Sequence, residues 1–340
     1  MPNSKSSRPT MFDVARLSGV SYQTVSRVIN NHPYVSEDTR QRVQAAIDTL
    51  GYRPSKAATK LASKSSKTIA IIIYGSWFHG PVQIALNIEI AAKTSGFDVI
   101  LTNITEPKKQ LTKALHNVSD WAVDGILMIL PVQGLSFDEV QAICGDTPVV
   151  QIDSARSADI PSVITDDARG TKQIVEHLIA LGHTNFCEIS GPMNWFSAQI
   201  RHQACVQVFE AHGMAPPVYE QANWTPSGGY QATRRLLEKG IPFTALISAN
   251  DNMAFGAIRA LGEAGFSVPG DISIVGYDDI PEAAYCMPPL TTVRQNFIQL
   301  GLTGFEYLMR LMDDPETPLE QYTIPSKVIF RESSRAIDSR

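Results

Sequence analysis

The chain has 340 residues, of which 44% are hydrophobic and 19% charged, and its formal net charge is −5. That length exceeds one ordinary domain and the apolar share supports sizeable cores, which excludes a disordered or fibrous chain and predicts two or three folded units. Charge is unevenly spread: residues 1–67 hold 11 Lys/Arg against 4 Asp/Glu, the remainder 18 against 30, so a basic head precedes an acidic body.

Residues 1–9 are polar and basic, without the apolar segment of a secretory signal. Thr10 and Asp13 have capping-box spacing. Val14, Ala15 and Leu17 then predict the inner face of a first helix that stops near Gly19. Ser21 is a good N-cap for a second helix. Val25, Val28 and Ile29 form its apolar side, while Tyr22, Gln23, Thr24, Ser26, Arg27 and Asn30 decorate the rest. A third helix runs from the cap Ser36 to Gly51, with Val43, Ala46, Ile47 and Leu50 facing inward. Helix, Gly-containing turn, helix is the pattern of a DNA-reading head. Gln and Arg can pair two atoms of a base edge, and Tyr, Ser and Asn suit phosphates and sugars. An ordinary three-helix bundle with a polar outer helix is the competing reading.

Pro54 opens an Ala- and Lys-containing stretch to Lys67, too short to be helical alone. It reads as a linker that becomes helical only when supported, or as a plain polar tether. From Thr68, β-branched runs at 69–73, 99–101, 126–130 and 149–152 predict strands covered on both faces. Helical stretches near 82–95, 108–119 and 136–144 separate them. A second series follows, with strands near 185–190, 244–248 and 272–276 and helices near 168–181, 198–212, 227–239 and 251–265. Strand alternating with helix predicts a parallel, doubly wound sheet, and two series predict two lobes. A helix near 297–312 and strands near 322–330 end the chain.

Open α/β sheets bind ligands at the carboxyl ends of their strands. Asp153, Asn250, Asp251, Asp278 and Asp279 follow predicted strands, Arg201 begins a helix, Trp224 lies in a loop, and Gln295 and Phe297 lie near the chain's last helix. Carboxylates, a carboxamide and a guanidinium can bracket a vicinal diol, and an indole covers the C–H face of a pyranose. Each also has a structural reading: Asp and Asn after strands commonly cap helices, and Asp251 is read as such a cap. Cys144, Cys187, Cys205 and Cys286 are widely spaced, as reduced structural thiols are. With no GxGxxG, no GxxxxGK[ST] and seven scattered His, no enzyme, metal or cofactor is expected. No apolar run spans a bilayer, so a soluble intracellular protein is expected.

Phe12-Asp13-Val14-Ala15, Gly19-Val20-Ser21, Thr24 to Val28, Asn30, Val35-Ser36, Thr39-Arg40 and Leu50 to Pro54 resemble the head of the lactose-repressor (LacI/GalR) family. The triplet Tyr22, Gln23, Arg27 is similar to that of the member from which the family takes its name. Gly191-Pro192 with Arg201, Asn250 to Ala254, Val275 to Asp279 and Pro288 to Val293 resemble the family's inducer-binding core, so the resemblance covers nearly the whole chain. It implies an all-α helix-turn-helix headpiece at 1–53, a hinge at 54–67, and a core at 68–340 of two lobes like a periplasmic sugar-binding protein. The N-lobe would take about 68–165 and 297–326, the C-lobe about 166–296 and 327–340. It further implies a repressor of a sugar-utilisation operon that binds pseudo-palindromic double-stranded operator DNA as a homodimer and is released by a small sugar. A β-galactoside or lactose-like effector is favoured; another sugar, or a corepressor, is the alternative. Tyr22, Gln23 and Arg27 would face base edges, and Thr24, Ser26 and Asn30 would hold phosphates. Leu61, flanked by Ala58 and Ala62, would wedge into the minor groove. Asp153, Arg201, Trp224, Asn250, Asp278, Gln295 and Phe297 match inducer-contacting positions, and His79-Gly80-Pro81 resembles a loop on the ligand side. Tyr74, Phe78, Ile129 and Thr165 depart from the namesake, and Phe78 with Trp77 makes the N-lobe wall of the ligand site more aromatic. No tetramerising leucine heptad is seen before Arg340, which leaves a dimer as the expectation.

Overall fold

A computed structural model describes residues 9–29, 32–52, 65–155 and 160–337. The chain divides into two compact units, Met1–Ser66 and Lys67–Arg340. Pro54, Ala58, Leu61 and Ala62 of the expected hinge, and Asn30 and Arg53 of the expected head, lie outside the described residues.

The head holds α1 (Met11–Ser18), α2 (Tyr22–Ile29) and α3 (Glu37–Leu50). Thr10 and Asp13 close a reciprocal capping box at the start of α1, satisfying two otherwise orphaned N–H groups. Gly19 ends the helix at φ 67°, ψ 29°, a left-handed cap that glycine adopts without Cβ strain. Ser36 caps α3 and Gly51 ends it in the same conformation. Val14, Ala15, Val25, Val28, Val43, Ala46 and Tyr52 make the core. Leu17 does not belong to it: 52% exposed, it lies off the 14–15–18 stripe. Ser18 is buried instead, its hydroxyl donating to the Val14 carbonyl at 2.7 Å, which removes the cost of burying it.

In the second unit the first sheet contains β1 (Thr68–Tyr74), β2 (Asp98–Ile104), β3 (Gly125–Ile129), β4 (Val149–Ile152), β5 (Ser162–Thr165) and β11 (Gln321–Ile324). Their spatial order is β11-β5-β4-β3-β1-β2, with every pair parallel. Its helices are α4 (His79–Thr94), α5 (Pro107–Asp120), α6 (Phe137–Cys144) and α11 (Phe297–Asp313). Alternate residues of β1 enter opposite cores. Ile69, Ile71 and Ile73 pack with Ile84, Ile88 and Leu308, and Ala70 and Ile72 with Leu111, Leu115 and Val118. This two-sided burial is why the run is apolar throughout rather than alternating.

The second sheet, β6 (Phe186–Ser190), β7 (Val218–Gln221), β8 (Ala245–Ser248) and β9 (Ser273–Val275), has the order β7-β6-β8-β9 and is also parallel. It carries α7 (Asp167–Ala180), α8 (Phe196–Ala211), α9 (Pro226–Glu238) and α10 (Asp251–Glu263). An antiparallel ribbon of β10 (Thr292–Arg294) and β12 (Lys327–Ile329) completes the unit. The chain passes between lobes after β5, after β10 and after β11.

The structure differs from the sequence pattern in four further places. His79-Gly80-Pro81 is the first turn of α4, where proline is tolerated because its missing N–H has no helical partner. Three strands, β5, β7 and β10, lie outside the strand pattern: they have only four, four and three residues, and β7 is a half-exposed edge. Among the described residues no helix is long and apolar enough to cross a membrane.

Candidate functional site

In the head, Ser21 accepts from the Thr24 amide at 3.1 Å, so the turn enters α2 already capped. Burying Val25 and Val28 turns the opposite face outward. Tyr22, Gln23 and Arg27 are exposed there, with Thr24 and Ser26 half-buried beside them. The Thr24 hydroxyl meets that of Ser21 at 2.9 Å. Tyr22 leans on Phe12 of α1, ring centroids 4.9 Å apart, which orders a long side chain at the helix's first position. This face offers amide, guanidinium and phenol donors on one short rod, dimensions that suit a major groove.

The second unit contains a cleft lined by Phe78, Asp153, Arg201, Trp224, Asn250, Asp278, Gln295 and Phe297. All eight candidate ligand residues therefore meet in one place. Asp153 lies past β4, Asn250 past β8 and Asp278 past β9, at the carboxyl ends of their strands. Asp153 (φ 58°), Trp224 (φ 67°), Asp278 (φ 110°) and Asp279 (φ 56°) all have left-handed backbone. Such strain persists only where surrounding structure enforces it, and here it aims three cleft side chains.

Arg201 organises the floor. Its Nε donates to Asp167 Oδ1 at 2.9 Å and its Nη1 to the Ala249 carbonyl at 2.6 Å. Asp278 Oδ1 stands 3.8 Å from Nη1, and the guanidinium lies 3.7 Å from the centre of the Tyr277 ring. Burial opposes its charge, but Asp167, Tyr277 and Asp278 outweigh burial and hold its pKa above the ordinary value. Gln295 Nε2 donates to Asp278 Oδ1 at 2.6 Å. Burial pushes the Asp278 carboxyl up to about 6, against Arg201 and Gln295, which pull it down. Asp153 is pushed up to about 7 by burial and by the like charges of Asp167 and Asp278, with Arg201 opposing. Near neutrality, then, Asp153 can donate a proton to a hydroxyl oxygen as well as accept from one.

The cap of α10 is Asn250, not Asp251: Asn250 Oδ1 accepts from the Met253 amide at 2.9 Å, and its Nδ2 donates to the Trp224 carbonyl at 3.1 Å. The fully buried Asp251 instead accepts from the Thr292 hydroxyl and the Ile280 amide, and burial raises its pKa well above the ordinary value. One face of Asn250 is thus committed to structure, leaving one amide hydrogen for a ligand.

Sequence reasoning missed Trp195, Ser197 and Asn252, which also line the cleft. Trp195 sits in the loop past the carboxyl end of β6, but the strand-end rule picks out polar residues and passes over an indole.

Residues 10–55 match the model described as bacterial regulatory proteins, lacI family, and residues 175–334 that of a periplasmic binding protein-like domain. The lactose operon repressor of Escherichia coli (strain K12) is 35% identical over 328 residues, covering 96% of this chain and 91% of that protein. This chain belongs to the lacI family. Its kinship extends to the HTH-type transcriptional repressor PurR of Haemophilus influenzae (strain PittEE), 31% identical over 96% of this chain and 99% of that one. A solved structure of the lac repressor dimer bound to operator and the anti-inducer ONPF superposes with a TM-score of 0.92 at 34% identity, covering 97% of this chain and 100% of that one.

Within this lacI-family chain, rings follow one another along the cleft wall. Trp224 lies 5.6 Å from Trp195, and Trp195 5.2 Å from Phe78 and 5.6 Å from Tyr74. The first two belong to the C-lobe and the last two to the N-lobe.

Proposed function

We propose that this lacI-family chain is a sequence-specific transcriptional repressor, released from operator DNA when a small sugar, a β-galactoside by preference, occupies the cleft. One observation carries the reading: Asp153, Trp224, Asn250, Asp278 and Gln295, each past the end of a strand, converge on one cleft with Arg201 of α8. This is a diol-bracketing set beside an indole. The basic, helix-turn-helix head supports the DNA partner, and kinship to the lactose operon repressor supports the sugar. A DNA partner places the protein in the cytoplasm, and nothing in the proposal requires a reaction, so it is not read as an enzyme.

The head's Tyr22, Gln23 and Arg27 read base edges, with Thr24, Ser26 and Asn30 on phosphates. Two copies read the two halves of a pseudo-palindrome. Between head and core, Leu61 and its neighbour Ala58 enter the minor groove. Sugar in the cleft favours a different relative orientation of the two lobes, and the hinges let go. A ligand achieves this only through unequal affinity for the two states, about 5.5 kcal/mol to move 1:99 to 99:1.

The test is Asp278→Ala in the full chain, with operator binding followed with and without galactosides. DNA affinity should stand while release by sugar disappears. A variant released as readily as wild type would remove Asp278 from the site.

A further inference from the structure

We infer that Trp195 and Phe78 set the length of the effector, restricting the cleft to a single sugar ring with a small aglycone. The inference rests on the sugar reading above and deepens it.

The cleft has two chemically distinct ends. Around Arg201 and Asp278 lie the polar groups that can grip hydroxyls, with Trp224 beside them, its ring centre 5.7 Å from the guanidinium. Beyond Trp224 the wall is aromatic. The indole of Trp195 is only 5% exposed, because it reaches from the C-lobe into the N-lobe. A Cβ placed on Gly75 would lie 3.1 Å from its Cη2 and 3.0 Å from a ring carbon of Phe78, so both rings close over the Gly75 backbone. Phe78 meets Trp195 edge-to-face, at 86°. Main-chain contacts hold the indole in place: Trp195 forms an antiparallel bridge with Val132, and the Phe196 amide donates to the Pro131 carbonyl at 2.8 Å. Both partners are in the N-lobe.

The aromatic end is therefore filled by the protein itself. The whole cleft, polar end included, has a cavity volume of about 50 Å³, above the roughly 10–15 Å³ needed to hold one water but too little for a sugar ring. A sugar ring must part the walls at the polar end, where the side chains offer hydrogen-bond partners to its hydroxyls. A second ring, whether pyranose or aryl, must also break the Trp195–Phe78 packing across the lobes. The shared chemistry excluded is a bulky, flat-faced aglycone.

Calorimetric titration of the full chain tests this with five probes: methyl β-galactoside, methyl β-glucoside, lactose, cellobiose and 2-nitrophenyl β-galactoside. Wild type should bind one methyl glycoside at least about tenfold more tightly than its two-ring counterpart, with the nitrophenyl probe weakened likewise in the galactoside case. Trp195→Ala and Phe78→Ala should each bring that ratio to within about threefold. Should Trp195→Ala not fold, Phe78→Ala, from the opposite lobe and half-buried, decides alone. Wild type binding two-ring or aryl probes as tightly as methyl glycosides overturns the inference, as does a ratio unmoved by the variants. Binding of no probe at all overturns the sugar reading together with it, whereas binding without size discrimination overturns this inference alone.

Discussion

Arg201 and Asp167 meet as an ion pair formed wholly inside the protein, Nε to Oδ1 at 2.9 Å, with side chains 7% and 3% exposed. Two buried charges this close repay their desolvation only because both are hydrogen-bonded further. Arg201 also holds the Ala249 carbonyl and Asp167 accepts from the Thr165 hydroxyl at 3.3 Å. The pair joins α7 to α8 under the cleft and points the guanidinium at Asp278.

Removing one partner strands the other. Asp167→Ala should destabilise the core by about 3–5 kcal/mol, read as a shifted urea midpoint of the full chain at unchanged slope. Replacing both, with Leu at 167 and Met at 201, should cost less than the single change, since the buried cation leaves with its partner, and Asp278, which loses Arg201, keeps the Gln295 hydrogen bond and can take up a proton. A single change costing under about 1 kcal/mol would show that the pair does not hold the floor together.

Asp153 gives the core a pH dependence. Its folded pKa, about 7, lies above the ordinary carboxyl value of about 3.9. Below pH 4 both states hold the proton and no penalty exists. Between about 4 and 7 the unfolded chain releases it while the folded chain retains it, so stability falls across that window and levels above it. His177 and His183, held low by burial, act in the opposite sense, adding stability as pH rises toward their ordinary value of about 6.5. The difference between wild type and Asp153→Asn isolates the carboxyl. Melting temperatures measured from pH 4 to 8 should converge at pH 4, and the variant should gain on wild type up to pH 7. Parallel curves would show that Asp153 titrates normally.

Much of this architecture is written locally. Thr10 with Asp13, Ser21, Gly19 and Gly51 punctuate the head, because caps and left-handed glycines act within one turn of chain. The β1 run shows its two-sided burial in its own composition, and the strand-end rule finds Asp153, Asn250 and Asp278. What stays hidden depends on distant partners. Asp167 lies 34 residues from Arg201, and nothing near either marks the pair. Asn250 and Asp251 are both good caps, and only the placement of Ile280 and Thr292 commits Asp251 elsewhere. Trp195 reads as an ordinary apolar residue until the N-lobe is folded against it.

Gly191 makes room for the cleft's indole. A Cβ at this position would stand 2.2 Å from Cη2 and Cζ2 of Trp224, inside any permissible contact. Gly191→Ala should push the ring out of place, cost about 1–3 kcal/mol through overpacking, and change the tryptophan near-ultraviolet dichroism. Sugar binding should weaken with it. An unaltered spectrum would mean that the β6 loop yields instead of the ring.

Readout and folding can be separated within the head. Gln23 is exposed on α2, so Gln23→Ala should leave the fold intact and relax choice at one base position by about 1–3 kcal/mol. Ser21 is the cap beneath it, accepting from the Thr24 amide. Ser21→Ala should cost about 0.5–2 kcal/mol of stability and weaken all duplexes alike, because it frays the helix without touching a base. Competition binding over a set of single-base operator variants distinguishes the two. If Gln23→Ala weakens every duplex equally, its amide serves the backbone and not a base edge, and base choice must then rest on Tyr22 and Arg27, the remaining exposed members of that face.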